Sequence, residues 1–131
     1  MPTIPMPGQP VRGSKTGKPI MALLDLLGRT WALGIIWHLS KGSCSFRQLQ
    51  TYCESISPTL LNTRLKELKA TKLIVNDGNG YQLTELGHSL FALIAPMGEW
   101  SLHWQESISA IEESSETALE GESYSAQGDN E

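Results

Sequence analysis

Two helix-start signals a short distance apart constrain this chain more than any other feature. Ser45 is followed three residues later by Gln48, the spacing at which a serine and a glutamine cap each other's backbone N–H groups. Ser57 then precedes Pro58, a good N-cap followed by the residue whose fixed φ suits the first helical position. The first helix should run from Phe46 to about Cys53, burying Phe46, Leu49 and Cys53, and the second from Pro58 to about Thr71. Two helices joined by so tight a turn form a helix-turn-helix, whose second helix normally lies in the major groove of duplex DNA.

The faces of that second helix follow from 100° per residue. Leu61, Leu65 and Leu68 share one stripe, with Leu60 beside it, and this side should face the core. The opposite side carries Thr59, Thr63 and Lys66, with Asn62 and Lys69 on one flank. Small polar side chains and lysines suit contacts to base edges and phosphates. Any surface helix is polar, so the stronger signal is charge: Arg64, Lys66, Lys69 and Lys72 stand against Glu67 alone across residues 58–72. Arg64 lies nearer the Leu60–Leu61 side, where a phosphate contact or an i,i+3 salt bridge with Glu67 suits it better than guanine recognition. Ser57, at the helix start, is placed to meet a phosphate. Arg47 on the preceding helix completes the candidate DNA-binding set.

The remaining elements complete a recognisable order. Pro19 opens a helix with Ile20, Leu23, Leu24 and Leu27 at helical spacing, ended by Gly28. A second helix, about Thr30 to Ser40, is apolar on most sides through Trp31, Leu33, Ile35, Ile36, Trp37 and Leu39, and should be the central buried element. Beyond the helix-turn-helix, Leu73–Asn76 and Tyr81–Leu83 flank Asp77-Gly78-Asn79-Gly80, the pattern of a β-hairpin. Thr84 caps a last helix over about 85–113, which Pro96 and Gly98 should kink or divide. The expected fold is mainly α with a small β-hairpin wing: a winged helix-turn-helix with a three-helix core, a wing and a long C-terminal helix.

Charge first argues against a nucleic-acid partner, because the 131 residues sum to −4. The distribution reverses that reading. Residues 1–84 hold all ten basic residues and four acids, a net of +6, whereas residues 85–131 hold ten acids and no Lys or Arg. A basic body with an acidic end can bind phosphate at one end of the molecule.

The folded domain is expected over 18–113, including a C-terminal dimerisation helix. Residues 1–17, rich in Pro, Gly and Ser, read as a flexible arm, and 114–131 as an acidic disordered tail. Arg12, Lys15 and Lys18 read as a solvated stretch within reach of a DNA backbone. No run approaches the ~18–20 apolar residues of a membrane span, and the N-terminus lacks the apolar core of a signal peptide. A cytoplasmic protein without membrane contact is expected. Cys44 and Cys53 have no metal-ligand spacing and read as free thiols. His38 and His88 read as surface or satisfied core residues. No phosphate loop, nucleophile elbow or HExxH motif is present, so neither an enzyme, nor a cofactor, nor a metal is expected.

Three segments carry a family resemblance: Leu27-Gly28-Arg29-Thr30-Trp31, Phe46-Arg47-Gln48-Leu49, and Ile56-Ser57-Pro58 through Arg64-Leu65-Lys66-Glu67-Leu68. Tyr81-Gln82-Leu83-Thr84-Glu85-Leu86-Gly87 and Glu99-Trp100 add to them. Over residues 18–104 the chain resembles the HxlR-type regulators, which are MarR-like winged helix-turn-helix proteins. The resemblance implies a homodimer joined through the first and last helices, with Leu23, Leu24, Leu93, Trp100 and Trp104 at the interface. It also implies sequence-specific binding of double-stranded DNA at an inverted repeat, with half-sites ~34 Å apart. Family members often carry a sensing cysteine just before the first helix; residues 1–19 contain none. Their wings tend to be longer and to end in Arg and Pro, whereas this one carries Asp77.

Trp100, His103 and Trp104 offer stacking surfaces for a flat aromatic effector between protomers, although core and interface packing accounts for tryptophans more simply. The competing function is a winged helix turned protein-interaction module with weak or no specific DNA binding, favoured by the net acidity and the Asp-bearing wing.

Overall fold

The capping box forms as the spacing requires. In the computed structural model, which describes residues 4–122 with side chains through residue 115, Ser45 Oγ accepts from Gln48 N at 3.0 Å and Gln48 Oε1 accepts from Ser45 N at 2.8 Å. The elements in chain order are α1 (Pro19–Leu27), α2 (Ala32–Leu39), α3 (Phe46–Tyr52), α4 (Pro58–Ala70), β1 (Ile74–Asn76), β2 (Tyr81–Leu83), α5 (Glu85–Ile94) and α6 (Pro96–Glu122). This is the expected winged helix-turn-helix order, mainly helical with one antiparallel hairpin. The chain divides into two units, Met1–Leu93 and Ile94–Glu131.

In the first unit the core is built from Leu26, Ala32, Ile35, Ile36, Leu39, Leu49, Leu61, Leu65 and Leu68, all buried. α2 lies at its centre, packed against α1, α3 and β2. It starts two residues later than the sequence pattern suggests, because Trp31 adopts a left-handed conformation (φ 70°) and serves as its N-cap. The Trp31 ring then lies over Gly34, where a Cβ would come within 2.7 Å of it.

α4 ends in a Schellman motif: Leu73 N donates to Leu68 O and Lys72 N to Lys69 O, each at 3.0 Å, around left-handed Lys72 (φ 70°). This reversal feeds Ile74 directly into β1. The hairpin pairs Ile74 with Leu83, Val75 with Gln82 and Asn76 with Tyr81. The first residue of β2, beside the turn, is bridged to Cys44 ahead of the α3 cap, since Tyr81 N donates to Cys44 O (2.7 Å) and Cys44 N to Tyr81 O (3.0 Å). Gly80 (φ 134°) permits that approach, for a Cβ there would meet Cys44 O at 2.9 Å.

Thr84 caps α5 as expected, its Oγ1 accepting from Gly87 N at 3.0 Å and donating to Lys72 O at 2.7 Å. The long terminal helix is divided at Ala95, the residue before Pro96, where the proline ring disfavours helical backbone. α6 continues to Glu122 rather than stopping near 113. The Ser/Glu-rich stretch that reads as a disordered tail also contains Ala118, Leu119 and several glutamates, all strong helix formers. The rest of that expected tail, residues 123–131, lies outside the described residues.

Residues 4–17, expected as a flexible arm, follow a defined path. Pro5 is buried, Gly8 N donates to Gly17 O at 2.9 Å, and Val11 and Ser14 form a β-bridge. Arg12 is drawn to α1, its backbone N–H donating to Asp25 Oδ2 at 3.2 Å and its Nε lying 3.7 Å from Asp25 Oδ1. No single helix is long and apolar enough to cross a membrane among the described residues.

Candidate nucleic-acid interface

The outward face of α4 is the one the helical projection assigns. Leu61, Leu65 and Leu68 are buried and Leu60 is half-buried, whereas Thr59, Asn62, Thr63, Lys66 and Lys69 are exposed. Ser57 Oγ accepts from Leu60 N at 3.1 Å, so its side chain caps the helix. Thr63 Oγ1 donates back to Thr59 O at 3.0 Å. With that proton occupied, Thr63 offers an acceptor and a methyl group on the exposed face. Lys69 Nζ sits 6.0 Å from the Tyr81 ring centroid, which ties this lysine to the wing.

The turn between α3 and α4 is tight at some conformational cost. Glu54 and Ser55 both have positive φ (56° and 62°) without being glycine. Ser55 N donates to Gln50 O at 2.8 Å, and Gln50 Nε2 to Ile56 O at 3.3 Å, closing the corner. Exposed Arg47 and Ser57 line one shallow concavity there, together with Thr51 and Ser55.

Arg64 forms the ion pair that its spacing from Glu67 allows. Its Nη1 donates to Glu67 Oε1 at 3.1 Å and its Nε to Thr30 O at 2.7 Å, leaving the side chain largely enclosed. Of the two roles that its position allows, the i,i+3 ion pair with Glu67 is formed in the single chain.

Sequence reasoning missed Arg29 as a buried charge. It is 8% exposed and Glu67 is 5% exposed, yet both are satisfied. Arg29 Nη1 donates to Glu67 Oε2 at 2.7 Å, while its Nε and Nη2 each lie 3.4 Å from an Asp25 oxygen. Burial alone would lower the Arg29 pKa, but the hydrogen bonds and charge of Asp25 and Glu67 outweigh it and raise the value. The available signal was one acid on an otherwise basic helix and one arginine in an apolar stretch.

The wing tip folds on itself. Asn76 Oδ1 accepts from Gly78 N (3.1 Å), Asp77 Oδ1 from Asn79 N (3.0 Å), and Asp77 Oδ2 accepts from Gln82 Nε2. An exposed carboxylate therefore stands at the tip. Cys44 and Cys53 are free and buried; burial raises both thiol pKa values, helped at Cys53 by the charges of Cys44 and Glu54. His38 stacks on Tyr52 with centroids 5.1 Å apart, and Trp37 meets Phe91 edge-to-face at 5.4 Å. Among the described residues no cluster of His, Cys, Asp and Glu could hold a metal ion.

Several apolar side chains remain exposed. Leu93 is 75% exposed, and Leu24 on α1 is also exposed, whereas Leu23 is half-buried. On α6, Met97, Trp100, Trp104, Ile108 and Ile111 recur at spacings of three and four, with Trp100 and Trp104 stacked at 5.9 Å.

A capped helix-turn-helix with a basic second helix and an adjoining hairpin defines a winged helix-turn-helix protein of the DNA-binding regulator class. Residues 26–109 match the family described as HxlR-like helix-turn-helix, and the chain belongs to that family. It is 30% identical over 94 residues to YybR of Bacillus subtilis (strain 168), an uncharacterized HTH-type transcriptional regulator, covering 66% of this chain and 75% of that one. Among solved structures it resembles quinone-bound YodB from B. subtilis at 31% identity and TM-score 0.59, over 64% of this chain and 96% of that one. A MarR-family transcriptional regulator from Enterococcus faecalis V583 shares the fold (TM-score 0.61, 19% identity), over 75% of this chain and 96% of that one.

Proposed function

We propose that this protein is a cytoplasmic, sequence-specific transcriptional regulator that binds an inverted repeat in double-stranded DNA as a homodimer. The observation that carries the reading is the exposed α4 face of Thr59, Asn62, Thr63, Lys66 and Lys69, backed by a buried leucine stripe. Asn62 has the donor–acceptor pair to read adenine, and Thr63 can contact a thymine methyl. Lys66, Lys69 and Arg47 supply phosphate contacts, with Ser57 at the helix start, and these set register rather than sequence. A second copy covers the exposed apolar residues: Leu24 and Leu93, with the neighbouring Leu23, in one unit, and Trp100 and Trp104 in the other.

A small-molecule effector fits the class, since a similar protein, YodB, binds quinone. In this chain the two thiols are enclosed with raised pKa values, which argues against an electrophile-sensing cysteine. A second reading, a protein-interaction module, is favoured by one observation: the exposed Asp77 at the wing tip, where DNA-binding wings use cations.

Electrophoretic shift and salt titration separate the two readings. A regulator binds duplex from upstream of its own gene better than random duplex at physiological salt, with affinity falling steeply as salt rises. Equal binding to both duplexes, together with no effect of Lys66→Ala, would falsify the regulator reading.

A further inference from the structure

We propose that Arg29 is a positioning residue for DNA recognition: with Asp25 it fixes the orientation of α4 through Glu67 without touching DNA. The inference rests on α4 being the reading helix. The Glu67 carboxylate is divided between two guanidinium groups, Oε2 taking Arg29 Nη1 at 2.7 Å and Oε1 taking Arg64 Nη1 at 3.1 Å. Arg64 is itself anchored to the α1–α2 corner through Thr30 O at 2.7 Å. The far edge of Arg29 is held by Asp25 on α1, which also receives the backbone N–H of Arg12. Two guanidinium groups, one from the α1–α2 corner and one from α4 itself, therefore meet on one buried carboxylate of α4, and α1 is joined to them through Asp25.

Leucine contacts hold a helix to a core but tolerate small rotations about its axis, because apolar attraction is non-directional. Charge-assisted bonds to a planar fork are directional and do not tolerate them. Glu67 adjoins Lys66 in the chain, so any rotation that the ionic cluster forbids would also move the exposed face. Base reading needs placement to roughly 0.5 Å, a tolerance that directional bonds meet and greasy contacts alone do not. Such an arrangement affects selectivity for sequence more than general attraction to phosphate.

The test compares wild type, Arg29→Lys and the apolar pair Arg29→Met with Glu67→Leu, made together with Asp25→Asn so that no buried carboxylate is left without Arg29, on two probes: duplex enriched by wild type from a random library, and unselected duplex. Near-UV circular dichroism reports the fold, and salt titration reports phosphate contacts. Arg29→Lys keeps the charge and loses the fork, so preference for the enriched duplex should fall about tenfold, comparable to losing one base contact. The salt slope should stay unchanged. If Arg29→Lys fails to fold, the apolar pair decides, since well-packed apolar residues can replace a buried ion pair without loss of stability. It should fold and still lose the preference. Retention of wild-type preference in whichever variant folds overturns the inference, as does a slope reduced by about 0.9, which marks a direct phosphate contact. Failure of wild type to enrich any sequence overturns the DNA-reading proposal and this one with it.

Discussion

Arg29 Nη1 lies 2.7 Å from Glu67 Oε2, joining a guanidinium at the α1–α2 corner to a carboxylate on α4 across 38 residues of sequence. Both side chains are at least nine-tenths buried, so neither charge has water to fall back on. Removing one partner leaves an uncompensated charge in the interior. Glu67→Ala should therefore destabilise the protein by about 3–5 kcal/mol, measured by urea unfolding. A loss below about 1 kcal/mol, the range of exposed pairs, would show that solvent reaches the cluster.

Lys66 and Arg64 should separate cleanly in salt titrations of DNA binding. Lys66 is exposed and Arg64 is committed to Thr30 and Glu67. Lys66→Ala should reduce the log–log salt slope by about 0.9. Arg64→Met should leave that slope alone and lower thermal stability instead. The opposite pattern would return Arg64 to the DNA surface.

Gly87 is where α5 crosses the chain at Leu73. A Cβ at this position would run into Leu73 O, a backbone atom that cannot swing aside. Gly87→Ala, normally favourable inside a helix, should instead cost about 1–3 kcal/mol through overpacking. Denaturant unfolding measures it, and a stabilised variant would mean that the two segments separate readily.

The thiols should be slow to react and should make the fold sensitive to alkali. Burial raises the Cys44 and Cys53 pKa values, so the native state favours the neutral thiol. Their contribution is fully present below the unfolded thiol pKa of about 8.5. It is lost as pH rises from there through the folded values, because only the unfolded chain releases the protons freely. Native protein at neutral pH should label with a thiol-reactive dye far more slowly than protein in urea. Equal rates would place at least one thiol in an open, reactive setting.

The oligomeric state offers a direct check on the exposed apolar side chains. Trp100→Glu and Leu93→Glu should each shift the protein toward monomer in sedimentation, since both side chains are more than half exposed in the single chain. A wild-type monomer at micromolar concentration would remove the basis for an inverted-repeat operator.

Much of this protein is legible in its sequence because the signals are local. The Ser45–Gln48 box, Ser57-Pro58, the leucine period of α4 and the Asp77–Gly80 turn each act within one or two helical turns. Backbone capping and side-chain period alone therefore determined the helix-turn-helix, the wing and the outward face of Thr59, Asn62, Thr63 and Lys66. Only the tertiary structure decided the start of α2 behind left-handed Trp31, the tie of Arg12 to Asp25, and the bond from Arg64 to Thr30 O. It also brought Arg29 to Glu67. Apart from the Trp31 turn, each of these depends on partners far apart in the chain, and a charge shows whether it faces water or a buried counter-charge only once the backbone has brought the two together.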